Sequence, residues 1–150
     1  MIISLGADHG GVDLKTALKE HLASAGHELI DHGTHGHDSV DYPDFAQLVG
    51  KDVVEGKAQF GVLVCTTGMG ISISANKIKG VRSALLHNED VAYMARHHND
   101  ANIACFGQKY TTAPMAKKFL DIFLFTDFEG GRHSRRIEKL HSPEQTGASC

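Results

Sequence analysis

Short runs of apolar residues alternate along this chain with longer segments in which apolar residues recur at helical spacing. Continuous runs are typical of buried parallel strands, and the spaced pattern is typical of helices that cover a sheet. The runs predict strands over residues 2–7, 27–32, 60–64, 82–87 and 101–106, the second of them near a sheet edge. The spaced segments predict helices over residues 12–25, 43–55, 71–78, 88–97, 113–125 and 132–141. The alternation, with no linker and no repeat, predicts one α/β domain over residues 1–141, with helices on both faces of a parallel sheet and a polar tail over 142–150.

The composition narrows the class of protein. The 150 residues suffice for one domain with a real core, and a net charge of −3 gives no reason to expect nucleic acid or an anionic membrane as a partner. The cysteines, Cys65, Cys105 and Cys150, show no motif spacing, which favours a reducing compartment over a disulfide framework. The first residues contain neither a basic segment nor a long apolar run, so we expect a cytoplasmic protein without signal peptide or membrane span.

The chemistry of the chain centres on residues 62–72, where an apolar run leads into Cys65, Thr67 and two alternating glycines, Gly68 and Gly70. This is the outline of a strand, a tight turn and a helix start, at the sheet edge where ligands bind. Free N–H groups in such a turn form an anion-binding nest, and a thiol that faces a helix start ionises readily. The alternative is a buried structural cysteine before an ordinary glycine turn, and the position of the thiol favours the functional interpretation.

Two further polar turns bear on this site. Asp8 and His9 follow the first strand, and adjacent central strands would place them in the same crevice as Cys65. The alternative for this pair is a capping aspartate beside a solvated histidine. His98 and Asn99 end the helix before the fifth strand, at the opposite edge of the sheet, where a histidine can simply satisfy the helix terminus. For His98 to act in the same site as Cys65, a second subunit must supply it, or its loop must approach the Cys65 crevice in an unusual way.

Arg132 and Arg136 stand at positions i and i+4 of the last predicted helix. Both guanidinium groups would lie on one helical face, where they can chelate a phosphate. The alternative is a solvated basic helix, which the neighbouring Arg135 and Lys139 fit.

The loop over residues 33–43 is rich in histidine and aspartate, including His35 and His37. Its spacing is loose and no helix or strand frames it, so we predict no metal site there. Residues 6–11 do not match the dinucleotide-binding glycine motif, and no P-loop motif occurs, so the sequence also predicts no nucleotide cofactor.

Six motif segments between residues 4 and 140 together carry a family resemblance. They are residues 6–10 (GADHG), 41–44 (DYPD), 65–77 (CTTGMGISISANK), 96–102 (RHHNDAN), 106–107 (FG) and 129–136 (EGGRHSRR). In this order they resemble the type B ribose-5-phosphate isomerase family, which also includes allose-6-phosphate and galactose-6-phosphate isomerases. The resemblance implies a Rossmann-like three-layer α/β/α sandwich with a five-stranded parallel sheet. It also implies a homodimer, sometimes paired into tetramers, whose active sites are shared between two subunits, so that the second subunit supplies His98.

The resemblance implies a metal-independent, cofactor-free aldose–ketose isomerisation of a sugar phosphate, with a role for each catalytic residue. Cys65 resembles the base that moves a proton between C1 and C2. His98 resembles the group that opens the sugar ring, with Asp8 as a helper. Thr67 and the backbone amides of Gly68, Met69 and Gly70 resemble the hole that stabilises the enediolate oxygen, which proton removal next to a carbonyl requires.

The same resemblance implies a set of binding residues. Asn99 would orient a substrate hydroxyl, and Tyr42 resembles a pocket residue near the ring. The phosphate clamp would consist of His9, Arg132 and Arg136. Because the phosphate is remote from the reacting carbons, its binding can hold the sugar in register.

Two residues depart from the family pattern. Thr66 stands where the family usually has glycine, and Lys109 stands where many members carry arginine, whose forked contact a lysine cannot make. We expect the first departure to affect the rate, and the second to affect phosphate binding or the dimer.

The division of residues between chains bears on the substrate. Galactose-6-phosphate isomerases of this family distribute the catalytic residues over two different chains, whereas this chain carries both Cys65 and the set of His98, Arg132 and Arg136. A self-sufficient homodimer that acts on ribose 5-phosphate is therefore favoured, with allose 6-phosphate next. The competing class is a non-catalytic sugar-phosphate-binding module on the same scaffold.

Overall fold

A computed structural model of the protein describes residues 1–145, which form a parallel five-stranded sheet between two layers of helices. The strands are β1 (Ile2–Ala7), β2 (Glu28–Asp31), β3 (Phe60–Cys65), β4 (Ser83–Leu85) and β5 (Ile103–Gly107). The helices are α1 (Val12–Ser24), α2 (Tyr42–Val54), α3 (Met69–Ala75), α4 (Glu89–His97), α5 (Ala113–Phe125) and α6 (Arg132–Gln145). The strand order is β2-β1-β3-β5-β4, and every neighbouring pair is parallel. The predicted α/β sandwich is thereby confirmed.

Each face of the sheet has its own hydrophobic cluster. On one face, apolar residues of α1, α4 and α5, including Leu18 and Phe119, pack on alternate residues of β1, β3 and β5. On the other face, α2 and α3 pack on the intervening residues, with Val49 and Ile71 against Leu63. Side chains of a strand alternate between faces, and the central strands are apolar on both, so they can only be buried between two helical layers.

The connections leave β1 and β3 in opposite directions. From β1 the chain crosses through α1 to β2, which is one edge strand of the sheet. From β3 it crosses through α3 to β4, which is the opposite edge strand. The helices that follow these neighbouring strands lie on opposite faces. Such a reversal opens a crevice outside the carboxyl ends of the two strands, which is where ligands bind in open α/β sheets.

Several element ends differ from those predicted. β4 is shorter than predicted because it is an edge strand paired with β5 alone, whereas the predicted edge position of β2 is confirmed. α3 begins at Met69 because Gly68 takes a left-handed conformation (φ 77°) and caps it. α6 continues through Gln145, and Ser142 donates its hydroxyl hydrogen bond to Glu138 O, the contact of a residue inside a helix. Residues 146–150 of the predicted tail lie outside the described part.

Among the described residues, no helix combines the length and the apolar character that a membrane span requires.

Candidate active site

The predicted site residues separate into two groups, and the first lies at the carboxyl ends of β1 and β3. We call it the carboxyl-edge group: Asp8, His9, Tyr42, Cys65, Thr67, Gly68, Met69 and Gly70. Ala7 pairs with Val64 in the sheet, and the Asp8 N–H donates to Val64 O at 3.3 Å. The next residue along β3 is Cys65, so Asp8 and the thiol stand at the carboxyl ends of two neighbouring strands.

The turn after β3 wraps around the Cys65 thiol. The side chain is buried (4% exposed), and the Gly68 N–H donates to its Sγ at 3.1 Å. The Met69 N–H donates to Thr67 Oγ1 at 3.3 Å. The first backbone bond within the following helix runs from Ser72 N to Gly68 O, so the N–H groups before Ser72 have no acceptor within that helix. The thiol therefore lies beside a row of backbone donors, as the sequence predicts.

Both glycines of this turn are required by close packing. A methyl group at Gly68 would overlap Leu85 Cδ1 and lie 2.8 Å from the Gly107 nitrogen, in addition to the strain of a positive φ. A methyl group at Gly70 would lie 2.7 Å from Cζ of Tyr42. The Tyr42 ring, at the start of α2, thus covers the turn directly, in keeping with its predicted place in the pocket.

Asp8 and His9 line the crevice from the β1 side. The Asp8 carboxylate is 6% exposed and accepts a hydrogen bond from the Gly10 N–H at 2.9 Å. Burial raises the pKa of Asp8, although the backbone N–H groups of Gly10 and Gly11 act against that shift. Nδ1 of His9 lies 3.2 Å from both the backbone nitrogen and the oxygen of Val40, which ties the loop before α2 to this turn.

The loop that delivers Tyr42 is anchored at its other end by a buried ion pair. Lys15 is 2% exposed and donates to Asp31 at 2.6 Å, while Lys19 donates to the other carboxylate oxygen at 2.8 Å. Asp31 also accepts from the Gly33 N–H at 3.0 Å. Burial alone would raise the pKa of Asp31, but hydrogen bonds from the two lysines and Gly33 lower it to about 2. The carboxylate therefore stays charged and holds the start of the loop beside β1.

The two departures from the family pattern both lie at this edge. The Thr66 hydroxyl occupies the space that a methyl group on Gly10 would need, so the threonine packs between the turns after β1 and β3. Lys109 follows β5, its backbone N–H donates to Thr66 O at 3.0 Å, and its ammonium group lies 5.8 Å from the centre of the Tyr110 ring.

The second group, which we call the histidine–arginine group, consists of His98, Asn99, Arg132 and Arg136. The His98 ring, at the end of α4, stacks on the ring of His133 with centroids 4.1 Å apart. The Arg132 Nε donates to His133 Nε2 at 3.2 Å. Together with His98, Asn99 and His133, Arg136 lines a cavity of about 200 Å³. The structure thus brings the start of the last helix onto His98 within one chain, a contact that the sequence did not predict.

Two members of this neighbourhood have no role in the sequence-based prediction. Glu129 Oε2 lies 3.0 Å from His133 Nε2 and 3.7 Å from His98 Nε2. His133 is 4% exposed, and its burial, together with the neighbouring His98, lowers the pKa of its imidazole. The available signal was the spacing of Glu129 and His133, which are four residues apart in the motif over residues 129–136.

The two groups lie at opposite edges of the sheet. Cys65 pairs with Gly107 at the end of β5, whereas His98 precedes Ile103, where β5 begins. The length of β5 alone separates the two edges by about 13 Å, at roughly 3.3 Å per residue. One chain therefore does not bring Cys65 and His98 together.

Comparisons with known proteins identify the family and the fold of this chain. Residues 3–140 match the family described as ribose/galactose isomerase. Ribose-5-phosphate isomerase B of Escherichia coli is 40% identical over 143 residues, covering 95% of this chain and 96% of that protein. The ribose-5-phosphate isomerase B structure from Clostridium thermocellum superposes with a TM-score of 0.97 at 43% identity, over 99% of this chain and 100% of that one. The Mycoplasma genitalium enzyme, solved with bound ribulose-5-phosphate, gives a TM-score of 0.92 at 40% identity over 96% of both chains.

Proposed function

This chain belongs to the ribose/galactose isomerase family, and from that premise we propose that it interconverts ribose 5-phosphate and ribulose 5-phosphate. The observation that carries the proposal is the buried Cys65 thiol, which accepts a hydrogen bond from the Gly68 N–H in the turn after β3 and ends the strand next to the one that Asp8 follows. A base and a preorganised set of N–H donors are what proton transfer next to a carbonyl needs.

The reaction begins with opening of the furanose ring. His98 takes the proton of the C1 hydroxyl, the C1–O4 bond breaks, and the ring oxygen receives a proton, which leaves an open-chain aldehyde. Asp8 assists as a proton donor at this stage. Its raised pKa, which follows from burial, suits a carboxyl group that carries a proton for part of the cycle.

Isomerisation then proceeds through an enediolate. The Cys65 thiolate removes the proton from C2, the C–H electrons form the C1–C2 double bond, and the carbonyl electrons move onto O1. Thr67 and the N–H groups of the turn over residues 68–70 stabilise the resulting oxyanion. Return of the proton to C1, with transfer of the O2 proton to O1, gives the ketose. No group outside the protein and the sugar is required for this sequence.

The phosphate fixes the sugar at the far end from these carbons. Arg132 and Arg136 are exposed on one face of α6 and, with His9, provide the charge-assisted donors for its oxygens. Tyr42 and Asn99 contact the sugar between the clamp and the reacting carbons.

The assignment requires two copies of the chain. Cys65 and His98 act on neighbouring atoms of one sugar yet belong to groups at opposite edges of the sheet, so each site takes one group from either subunit of a homodimer. The open side of β4 and the adjoining groove of about 700 Å³, which includes Leu85, Met94 and Leu140, support a partner surface next to the histidine–arginine group. Both described cysteines, Cys65 and Cys105, are free thiols, which supports a reducing compartment such as the cytoplasm.

Turnover measured with matched cysteine variants tests the function. We expect the wild type to interconvert ribose 5-phosphate and ribulose 5-phosphate with EDTA present, and Cys65→Ala to lose about 10³-fold in kcat, the middle of the range for a general base. Cys105→Ala is the control, because that thiol is fully buried against Ser83 and pairs in the sheet with Leu63, two residues before Cys65. It should keep its turnover.

The other outcomes separate the alternatives. A larger kcat/KM for allose 6-phosphate than for ribose 5-phosphate would reassign the substrate to a hexose phosphate. Sugar-phosphate binding by the wild type without turnover of either sugar would establish the non-catalytic binding module instead.

A further inference from the structure

Two consecutive histidines at the end of α4 face one carboxylate from the segment before α6. Nε2 of His97 and Nε2 of His98 each lie 3.7 Å from Glu129 Oε2, and one ligand atom from each residue lies within 4.8 Å of the others. His97 takes no part in the proposed isomerisation. Neither does Glu129.

The tautomer of His97 follows from its other ring nitrogen. Nδ1 lies 3.1 Å from the backbone oxygen of Asp127, and a carbonyl oxygen can only accept, so Nδ1 carries the proton. In the neutral ring, Nε2 then presents a lone pair toward a carboxylate oxygen, which is also an acceptor. At 3.7 Å these two atoms are too far apart for a hydrogen bond, and a cation between them would interact favourably with both, although the same oxygen also lies 3.0 Å from His133 Nε2.

These distances suit a metal ion. Imidazole nitrogens and carboxylate oxygens bind zinc at about 2.0–2.2 Å in a tetrahedral arrangement, which places ligand atoms roughly 3.3–3.6 Å from one another. A metal-bound histidine typically donates its second ring N–H to a backbone carbonyl, as His97 does to Asp127. The backbone N–H of Glu129 donates to His97 O at 2.9 Å, so the carboxylate and the imidazoles belong to segments that are already joined.

We propose that His97, His98 and Glu129 form a zinc-binding site, and that zinc there withdraws His98 from ring opening and so inhibits the enzyme reversibly. Zinc occupies the Nε2 lone pair of His98, and water completes the fourth position. The inhibitory half of this inference rests on the proposed function, whereas the binding half does not. Arg132, which contacts the adjacent His133, is a positive charge beside the site and opposes cation binding. We therefore expect weaker binding than in a four-ligand structural zinc site.

Binding is tested first, without any sugar, by competition between the protein and a chromophoric zinc chelator. We expect one zinc per chain, with affinity lowered at least about tenfold in His97→Ala and in Glu129→Gln. The matched control is His35→Ala/His37→Ala, which removes two exposed imidazoles from the other histidine-rich segment. The control should bind zinc like the wild type, and loss of binding in the control but not in the other two variants would overturn the site.

The His97→Ala substitution removes the stacking of the His97 ring on Tyr93, whose centroids lie 4.8 Å apart. If that variant does not fold for this reason, Glu129→Gln decides the question, because glutamine keeps the side-chain volume at position 129.

Turnover is then measured with zinc, and each variant is compared with its own rate in EDTA. We expect zinc to inhibit the wild type and the histidine control, and EDTA to restore them, while Glu129→Gln resists at least about tenfold more zinc. Site-specific binding without inhibition would overturn the inhibitory half. Absence of turnover even in EDTA would instead remove the proposed function and leave the binding result standing.

Discussion

The two halves of the proposed site are built in different ways. The carboxyl-edge group is built around a backbone turn: the buried Cys65 thiol stands beside glycines and N–H donors whose positions follow from β1, β3 and their crossover helices. The histidine–arginine group consists of side chains on the surface of α4 and α6, held by ring stacking and by contacts among themselves.

This contrast matches the chemistry assigned to each half. Stabilising an enediolate requires donors that do not reorganise during the reaction, and backbone amides in a packed turn meet that requirement. Ring opening and phosphate binding, as proposed, depend mainly on charged or titratable side chains, which in the proposed homodimer would reach across to the neighbouring subunit. Because these side chains are accessible, a cation can compete for the histidines. In the Cys65 turn, by contrast, Tyr42 packs against Gly70 and Leu85 packs against Gly68.

The largest expected effect is the recovery of turnover when two inactive variants, one for each half of the site, are mixed. Cys65→Ala and His98→Ala should each be nearly inactive, because each removes one half of every site. If the halves come from different subunits, equal mixing with subunit exchange makes half of the dimers heterodimers, each with one intact site of two. Mixing should therefore restore about a quarter of the wild-type turnover. No recovery after confirmed subunit exchange would contradict the shared site.

The next largest effect concerns the backbone turn. Gly68→Ala forces a methyl group against Leu85 and the Gly107 backbone at a positive φ, so we expect about 3 kcal/mol of lost stability and a reduced kcat. Gly26→Ala is matched in φ (83°) but has open space around it, and it should cost about 1 kcal/mol. Urea unfolding measures both. Equal losses of stability in the two variants would show that packing around Gly68 contributes little to the cost of Gly68→Ala.

A smaller effect distinguishes the phosphate clamp from general surface charge. Arg132→Ala/Arg136→Ala should raise KM for ribose 5-phosphate about 10- to 100-fold, as expected for lost charge-assisted hydrogen bonds. KM for unphosphorylated ribose should change little. Arg135→Ala, an exposed arginine of the same helix, serves as the control. Equal changes for the two sugars would rule out the clamp.

The smallest effect concerns the anchor of the Tyr42 loop. Because the folded pKa of Asp31 is about 2, below its ordinary 3.8, its stabilising contribution is complete above about pH 5 and is lost as the pH falls through 2. The stability difference between the wild type and Asp31→Asn should therefore shrink by about 2 kcal/mol between pH 6 and pH 2 in urea unfolding. Asp38→Asn, at an exposed loop position, should show no such trend.

Much of the fold and of the carboxyl-edge group could be predicted from local patterns. The apolar run before Cys65 and the glycines after it mark a strand, a turn and a helix, and neighbouring central strands place Asp8 beside that turn. Element ends were less predictable: β4 is limited by its pairing with β5, a neighbour distant in sequence, and α6 continues past the predicted end through local bonds such as that from Ser142 to Glu138.

The sequence by itself determined which turns carry the candidate site residues and at which end of the strands each turn lies, since alternating strands and helices leave little choice of where a turn lies. Only the tertiary structure decided which of those residues meet. It brought Glu129 and His133 onto His98, and it separated His98 from Cys65 by the length of β5. The physical reason is that strand and helix formation depend on short-range periodicity. Contacts between α4 and α6 instead depend on how two helices from distant parts of the chain pack on one scaffold.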